Sequence, residues 1–494
     1  MSCTTILAGT KATWNGSTLI ARNDDNGNGS FSTKRLAIVM PDQQPRLYHS
    51  VISHLEIPLP ENPLKYTCVP NVDTEEKGIW AASGINGANV AMTATETITT
   101  NARVLAADPL VAYQAAEDGQ SEKLGGIGEE DLVVIVLPYI RSAREGVKRL
   151  GMLLEEYGTY ENNGIAFADH NEVWYLESVG GHHWIARRLP DADYAVLPNM
   201  FTEDEFDLQD ATTTQKNFMA SADIREFIEK NHLSVTEGTF NARLAFGSHD
   251  DADHVYNTPR MWYGQRYFNP TTVKWDGPDA QFTPQSDNLP WCRKPERLIT
   301  VEDVKTVLSS TYQGTPYSTY AKGQEARLFR PIGINRTSNC CCLEIRNDVP
   351  EEICAIQWFA FGSNVYNAFT PILTNTDTIP AYFSNTSLQV STDDFFWTSR
   401  IIAAMADPHH DALLPVIERY QLAVGAKTRA IIGEVDRTYK QGENAVELNA
   451  KANQQIADLV QAQTEDLLDK VLFEASMGMQ NNYCLLYTSP SPRD

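Results

Sequence analysis

The sequence lacks an excess of positive charge and lacks any long hydrophobic segment. Its 494 residues contain 40 Lys and Arg against 64 Asp and Glu, which gives a formal net charge of −24. Proteins that bind nucleic acid or anionic membranes present basic clusters to phosphate groups, and this sequence offers none. It also has no run of about 20 apolar residues, the length that spans a bilayer. We therefore expect neither a nucleic-acid nor a membrane partner. The first residues also lack a secretory signal pattern, so we expect a cytoplasmic location.

Motifs for metal ions and organic cofactors are also missing. None of the eight cysteines forms a C-x-x-C pair, and the histidines show no H-E-x-x-H spacing. The adjacent His182 and His183 would point to opposite faces of a strand, so the two rings could not easily bind one ion. No glycine-rich phosphate loop follows a strand-like run. The sequence therefore predicts no metal and no organic cofactor, and it favours free buried thiols over disulfides.

The N-terminal segment predicts a β-hairpin. Two apolar, β-branched runs flank Asn15 and Gly16, a pair that favours tight turns because both residues tolerate positive φ. The hairpin would bring Arg22 and Asp25, at the end of its second strand, back beside Cys3 at the start of its first. These three residues form the candidate site from which the functional hypothesis starts.

Cys3 could act as a nucleophile that supplies its own base. If Met1 and Ser2 are removed, Cys3 carries a free α-amine with an ordinary pKa of about 8, which can accept the thiol proton. Arg22 would favour the thiolate, which is the reactive form of cysteine. The alternative is that Cys3 is a small apolar residue at the start of a buried strand, as free cysteine often is.

Further motifs favour the nucleophile, because in combination they resemble those of a known family. The motifs are Cys3-Thr4-Thr5-Ile6-Leu7, Arg22-Asn23-Asp24-Asp25, Gly84-Ile85-Asn86, Thr95-Glu96-Thr97, Trp174-Tyr175-Leu176-Glu177, Gly181-His182-His183-Trp184 and Pro198-Asn199. On these residues the chain resembles the N-terminal-nucleophile cysteine dipeptidases of the dipeptidase A type, a family that also includes the secernins. The resemblance spans nearly the whole chain.

The order of strand and helix patterns predicts the fold. Strand clusters, which include strands at residues 78–83 and 328–334, are separated by a helical pattern over residues 131–156 that Pro138 interrupts. Two sheets face to face with helices outside suit this order. The resemblance implies the same α+β fold, a four-layer αββα sandwich of the N-terminal-nucleophile hydrolase type. We expect this core over residues 3–395 and a helical C-terminal extension over residues 396–480.

The resemblance also implies roles for residues outside the hairpin. In the acylase relatives of this fold, an asparagine in the place of Asn199 donates its side-chain N–H to the developing oxyanion, and a neighbouring strand supplies a second polar group. We assign the second role to Thr95 and Glu96. Ordinary turn hydrogen bonds are the alternative for all three residues. Arg260, in a further shared motif, could anchor a substrate carboxylate or support the nucleophile, and a surface arginine is the alternative.

The function that the resemblance implies is that of a cysteine dipeptidase acting through a thioester at Cys3. Arg22 and Asp25 would fix the geometry of the amine and the thiolate, and Asp25 could also pair with the ammonium group of the substrate. A dipeptide or short peptide is the expected partner, and a homo-oligomer is left open. Three alternatives stand beside this hypothesis: an amidase of the same fold acting on non-peptide amides such as conjugated bile acids, a non-catalytic secernin-like binding protein, and a metallopeptidase.

Both ends of the sequence carry expectations of their own. Residues 1–2 are expected to be a leader, with Met1 clipped and Ser2 released when the Cys3 thiol attacks the preceding carbonyl. Residues 484–494 break with the rest of the sequence and resemble the translation of a common sequencing adapter. We expect this tail to be non-native and exclude it from the fold prediction.

Overall fold

The computed structural model describes residues 3–27, 29–117 and 119–479, apart from the side chains of Thr95 and Glu96. The expectations for residues 1–2 and 484–494 therefore lie outside the described residues. The strands are β1 (Thr4–Ala8), β2 (Thr18–Asp25), β3 (Ala37–Val39), β4 (Leu47–His49), β5 (Glu56–Pro58), β6 (Tyr66–Cys68), β7 (Ser83–Ile85), β8 (Ala91–Thr97), β9 (Asn163–Ala168), β10 (Val173–Val179), β11 (His183–Arg188), β12 (Tyr194–Leu197), β13 (Phe218–Ala220), β14 (Cys292–Arg293), β15 (Thr337–Ile345), β16 (Ala355–Phe361) and β17 (Thr370–Leu373).

The α-helices alternate with these strands and then take over the C-terminal part of the chain. They are α1 (Thr74–Lys77), α2 (Ala102–Ala107), α3 (Leu132–Val136), α4 (Ala143–Tyr157), α5 (Leu208–Thr212), α6 (Ile224–Lys230), α7 (Ala242–Phe246), α8 (Asp253–Tyr256), α9 (Thr258–Phe268), α10 (Val301–Leu308), α11 (Ala381–Ser384), α12 (Phe395–Ala406), α13 (His410–Thr438) and α14 (Ala445–Met477). As predicted, Pro138 separates α3 from α4, because it lies in a short 3-10 turn between them. In the described part of the chain, no helix combines the length and the apolar character needed to cross a membrane.

The N-terminal hairpin forms the centre of the larger sheet. β1 and β2 pair in antiparallel fashion with Thr5 opposite Arg22, and Gly16 in the connection has a φ of 73°. That left-handed conformation favours glycine, which is why the Asn15-Gly16 pair marks the turn. β12 pairs with β1 and β15 pairs with β2, so the strand order is β14-β12-β1-β2-β15-β16-β17. The predicted hairpin is confirmed.

A second sheet of six strands faces the first. Its order is β13-β11-β10-β9-β8-β7, and each neighbouring pair is antiparallel. The pairing of β8 with β9 is irregular between Thr93 and Glu96, which shifts the register just before β8 ends at Thr97. Such an irregularity re-aims the strand end, a common feature beside functional sites.

The two sheets enclose one apolar layer and carry helices on their outer faces. Residues of both sheets meet between them, among them Leu7 and Ile20 from the larger sheet and Tyr175 from the smaller. α9 and α10 pack on the outer face of the larger sheet, and α3 and α4 on that of the smaller. The predicted α+β class and the four-layer αββα sandwich are confirmed.

Alternation along β2 determines which residues face the space between the sheets. Ile20 belongs to the layer between the sheets, whereas Leu19 and Ala21 pack toward the outer helices. Because successive strand residues point to opposite faces, Arg22 shares the face of Ile20, and Asp25 lies on the opposite face. This alternation separates two residues that the sequence had placed together.

The last three helices pack together against the edge of the larger sheet. α12, α13 and α14 share an apolar cluster with Phe359 and Phe361 of β16. The expected boundary after residue 395 falls at the first residue of α12, Phe395. The division of the chain into a core and an extension at that point stays a prediction.

Two of the predicted strands are wrong. Residues 78–82 do not form a strand, because Gly78, Trp80 and Ala82 have positive φ of 80°, 46° and 55°, and Ser83 is the first residue of β7. Residues 328–334 form turns and coil, because Pro331 has no N–H to donate to a neighbouring strand and the preceding Arg327 has a φ of 67°. The apolar residues of both segments had suggested strands.

Candidate active site

Cys3 lies at the start of the central strand pair, with its thiol in contact with a cation. The residue is fully buried, and Arg22 Nη2 donates a hydrogen bond of 2.9 Å to its sulfur. The hairpin register creates this contact, because Thr5 is opposite Arg22 and Cys3 lies two residues before Thr5 on the same face. A guanidinium hydrogen bond stabilises the negative charge of a thiolate, which is the nucleophilic form.

Arg22 is itself held by two buried carboxylates. Its Nη2 lies 3.1 Å from Glu129 Oε1 and 3.5 Å from Asp24 Oδ1, and its side chain is only 1% exposed. Lys34 Nζ contacts the other oxygen of Asp24 at 3.1 Å. Buried charges require partners of the opposite sign, and here two cations and two anions meet around one thiol. The guanidinium is thereby fixed in position against the sulfur.

The same cluster is the one set of possible metal ligands found among the described residues. Cys3, Asp24 and Glu129 each offer an atom within 4.8 Å of the others. Arg22 Nη2, however, contacts one atom of each of these three residues, so the guanidinium lies among the groups that would have to bind a metal ion. The arrangement fits a fixed organic cation better than a metal centre.

Asp25 lies on the opposite face of the sheet. Its carboxylate is fully buried and accepts hydrogen bonds of 2.5 Å from Arg330 Nη2 and of 2.5 Å from Thr337 Oγ1. Thr337 is the first residue of β15, so these bonds tie the end of β2 to the neighbouring strand. The role predicted for Asp25, fixing the amine and the thiolate, stays a prediction.

Arg260 connects Cys3 to the predicted oxyanion residue. It lies in the first turn of α9 and is fully buried, so it is not the surface arginine that the sequence left open. Its Nη1 donates to the carbonyl oxygen of Cys3 and, at 2.8 Å, to Thr4 Oγ1. Its Nη2 donates to Asn199 Oδ1 at 2.8 Å. Arg260 therefore links the backbone of the nucleophile to the side chain of Asn199.

Asn199 and the end of β8 meet at the same edge of the sandwich. Asn199 follows β12 and is half-buried, and its Nδ2 donates to the carbonyl oxygen of Thr97 at 2.9 Å. Thr97 is the last residue of β8, the strand that carries Thr95 and Glu96. The structure thus brings this strand end next to Asn199, while the side chains of Thr95 and Glu96 lie outside the described part of the chain.

Glu129 is the site residue that the sequence did not reveal. It lies in an acidic run, Glu129, Glu130 and Asp131, that directly precedes the apolar helix α3. All three carboxylates are buried, and burial raises the pKa of Glu130 and of Asp131 above their ordinary values. In a sequence, a run of acids before an apolar helix looks like a solvent-exposed helix N-terminus. Only the burial of these carboxylates in the structure distinguishes the two cases.

Comparisons with known proteins identify the family of the chain. The chain matches the model of Peptidase family C69 over residues 2–423. It is 49% identical to a dipeptidase of Bifidobacterium longum (strain NCC 2705), covering 98% of this chain and 99% of that protein. It is 50% identical to a probable dipeptidase A of Streptococcus pyogenes serotype M3, and the match covers 98% of this chain and 100% of that protein. It is 41% identical to dipeptidase A of Lactobacillus helveticus, and the match covers 98% of this chain and 99% of that protein.

A solved structure also matches, at a much lower level. A mutant of conjugated bile acid hydrolase from Clostridium perfringens has 8% identity and a TM-score of 0.30, and the match covers 75% of this chain and 92% of that one. Similarity this weak supports no statement about chemistry or substrate. The family match and the sequence relatives are sufficient by themselves: the chain belongs to Peptidase family C69.

Proposed function

We propose that this protein is a cysteine dipeptidase that hydrolyses dipeptides through a thioester on Cys3. The observation that carries the proposal is the hydrogen bond of 2.9 Å from the buried Arg22 to Cys3 Sγ. This cation is positioned to hold a thiolate in a chain whose relatives include named dipeptidases. The names of those relatives favour peptides over the non-peptide amides of the alternative amidase.

The base in this mechanism is the α-amine of Cys3, freed when residues 1 and 2 are removed. With an ordinary pKa of about 8, a good fraction of this amine is neutral near pH 7 and can take the thiol proton. The thiolate then attacks the peptide carbonyl, and the amine returns the proton to the leaving amino group. Water, deprotonated by the same amine, hydrolyses the thioester and releases the second product.

Asn199 is proposed to stabilise the oxyanion that forms during both steps. Asparagine carries two N–H donors, and within the described residues the hydrogen bond to Thr97 uses one of them. The other can be donated to an oxyanion, and such a donor typically contributes about 3 kcal/mol to lowering the barrier. Thr95 and Glu96 remain the proposed source of a second polar group, and Arg260 is proposed to support the nucleophile by holding the Cys3 carbonyl.

Variants of the nucleophile test the proposed function directly. Cys3→Ala should abolish hydrolysis of a dipeptide panel, and Cys3→Ser should retain at most a small fraction, because a hydroxyl is a much weaker nucleophile than a thiolate. Rapid acid quench of the wild type followed by intact mass measurement should detect an acyl group on Cys3. A Cys3→Ala enzyme with full activity would contradict the proposal, as would an active metal-dependent enzyme that loses its activity on chelation.

Maturation requires a separate measurement, because the amine is blocked until Ser2 leaves. N-terminal sequencing of active enzyme should begin at Cys3, and Cys3→Ala should retain Ser2 if the thiol performs the cleavage. Active enzyme that still carries Ser2 would rule out the single-residue mechanism while leaving Cys3 as a nucleophile.

Two further expectations belong to the same proposal. A cytoplasmic location fits the seven described cysteines, all of which are free thiols, and cell fractionation tests it. A homo-oligomer stays open, and light scattering coupled to size-exclusion chromatography determines the mass in solution.

A further inference from the structure

Two buried carboxylates lie beside the nucleophile without a direct part in the chemistry proposed above. An oxygen of Asp24 and one of Glu129 each lie within 4.8 Å of Cys3 Sγ. Asp24 belongs to β2 and Glu129 to the loop before α3, so the two acids come from separate segments of the chain. Their side chains are 6% and 3% exposed. Carboxylates in such surroundings require cations close by.

A dipeptide carries a cation at the matching place. Its ammonium nitrogen is two bonds from the carbonyl carbon that the thiolate attacks, roughly 2.5 Å away by standard bond lengths. Reacting atoms approach to about 3–3.5 Å before the bond forms. An attacked dipeptide therefore brings its ammonium group to within about 6 Å of the sulfur. A carboxylate oxygen within 4.8 Å of the sulfur can meet it there.

The carboxylates beside the sulfur would attract the ammonium group of a substrate. Asp24 and Glu129 contact Arg22 and Lys34 at 3.1 to 3.5 Å. Attraction between opposite charges is stronger in such a buried region than in water. A substrate with a blocked N-terminus would lack this attraction.

Glu129 is the carboxylate best placed to bind this cation. Asp24 is already shared between Arg22 at 3.5 Å and Lys34 at 3.1 Å. Asp25, which the sequence suggested for this role, lies on the opposite face of the sheet and pairs with Arg330. Glu129 pairs with Arg22 at 3.1 Å and belongs to a loop separate from the hairpin.

The loop that carries Glu129 is held by several contacts. The N–H of Glu129 donates to Glu161 Oε1 at 3.0 Å, and the N–H of Gly128 donates to Asp131 Oδ2 at 2.9 Å. Gly128 has no room for a side chain, since a Cβ there would overlap the hydroxyl oxygen of Tyr160. A carboxylate on a fixed loop loses little conformational entropy when it binds a cation.

We propose that Glu129 binds the α-ammonium group of the substrate and thereby restricts the enzyme to peptides with a free N-terminus. The inference rests on the proposed function, because it concerns a peptide held at Cys3. Glu129 would then determine specificity by direct contact with the substrate, through the charge of its carboxylate. Its contact with Arg22 would keep that carboxylate aligned with the thiolate.

Two thiol reagents of different charge test the proposal at Cys3. 2-Aminoethyl methanethiosulfonate carries an ammonium group, and methyl methanethiosulfonate carries none. With either reagent the thiolate attacks the sulfenyl sulfur, forms a disulfide and releases methanesulfinate. The rates of Cys3 labelling are measured by mass spectrometry in the wild type, in Glu129→Gln and in the matched control Glu130→Gln. Glu130 lies in the same loop, but its carboxylate accepts from Ser50 and Tyr160.

The informative quantity is the ratio of the rate with the cationic reagent to the rate with the neutral one. This ratio should fall roughly 10- to 100-fold in Glu129→Gln and stay unchanged in Glu130→Gln. A general loss of thiolate reactivity, caused by weaker alignment of Arg22, cancels because it affects both reagents. An unchanged ratio in Glu129→Gln would overturn this inference and leave the proposed function intact. Failure of both reagents to label wild-type Cys3 would overturn the proposed function together with it.

Dipeptide kinetics supply an independent readout. For alanyl-alanine, kcat/KM should fall roughly 10- to 100-fold in Glu129→Gln, with KM raised, because ground-state binding of the ammonium is lost. The control Glu130→Gln should keep the wild-type KM. An equal rise of KM in both variants would assign the effect to the structure of the loop and overturn the proposal.

Discussion

Arg260 determines which way the amide of Asn199 points. Its Nη2 donates a hydrogen bond of 2.8 Å to Asn199 Oδ1, so the oxygen of this amide faces the guanidinium and the NH2 group faces the end of β8. The two ends of an amide are distinguished by their hydrogen-bond partners, and here both partners agree. An arginine that also holds the carbonyl of Cys3 thereby orients an N–H donor relative to the nucleophile.

Removing the donor of Asn199 should slow the chemical step. Asn199→Asp keeps the shape of the side chain and its contact with Arg260, but it loses the N–H groups. We expect kcat to fall roughly 100- to 1000-fold with little change in KM, because an oxyanion donor acts mainly in the transition state. Steady-state kinetics with one dipeptide measure both constants.

Asn257→Ala is the matched control for this variant. Asn257 also accepts from Arg260 Nη2, at 2.6 Å, and its removal tests whether disturbing Arg260 is sufficient to reduce activity. We expect a much smaller loss of kcat than in Asn199→Asp. Equal losses in the two variants would show that Asn199 acts only by holding Arg260.

Arg22→Lys should reduce both activity and the reactivity of Cys3. A guanidinium can bond several acceptors at once, whereas an ammonium group on a flexible stem does not reproduce that geometry. Losing one charge-assisted hydrogen bond to the thiolate should lower the rate of Cys3 alkylation by iodoacetamide near pH 7 roughly 10- to 100-fold. The pH profile of alkylation should shift to higher pH, because the thiolate is then less stabilised.

Arg225→Lys provides the control for that substitution. Arg225 also makes several hydrogen bonds, to Leu208, Thr212 and Gln209, but it lies on α6. Its replacement should leave the alkylation profile of Cys3 unchanged. If Arg22→Lys behaved in the same way as Arg225→Lys, Arg22 would not be stabilising the thiolate.

Local signals predicted the hairpin, whereas the acids around the thiol depend on tertiary structure. Asn15 and Gly16 set the turn, and through it the register that brings Arg22 to Cys3. Glu129 approaches Arg22 from 107 residues away in the sequence, and no periodic pattern connects the two. The position of Asp25 was in principle predictable, because it lies three positions after Arg22 and strand residues alternate between faces.

Two buried glutamates should make the stability of the protein depend on pH. Glu177 of β10 is fully buried, and burial raises its pKa from 4.5 to about 7. The pKa of Glu203 is raised well above its usual range, mainly by burial and to a smaller extent by the negative charge of Glu177. A raised carboxyl pKa means that the folded state binds the proton more tightly than the unfolded state. The resulting stabilisation is full below pH 4.5 and is lost as the pH rises through the folded-state pKa values.

Glu203→Gln should weaken that pH dependence. A neutral amide needs no proton to remain buried, so unfolding of the variant releases one proton fewer than unfolding of the wild type. For each unit by which the pH rises, the free energy of unfolding should fall by about 1.4 kcal/mol less in the variant than in the wild type, over the pH range in which Glu203 releases its proton. One proton contributes about that amount. Urea titrations between pH 5 and pH 8 measure the slope. The same slope in wild type and variant would show that Glu203 releases no proton on unfolding in this range.

Gly146 in α4 should tolerate no side chain, although glycine in a helix is normally replaced by alanine with a gain in stability. A Cβ at this position would overlap Phe167 Cδ1, in the layer between α4 and the smaller sheet. Gly146→Ala should therefore destabilise the protein, by about 1–3 kcal/mol as overpacking typically does. A Cβ added at Gly425 in α13 would have no atom within 4 Å. Gly425→Ala should therefore stabilise the protein by about 1 kcal/mol through the higher helix propensity of alanine. Chemical denaturation of the two variants should give changes of opposite sign. A stabilised Gly146→Ala would mean that α4 can move away from Phe167 without cost, and that the glycine is not required for the close approach of helix and sheet.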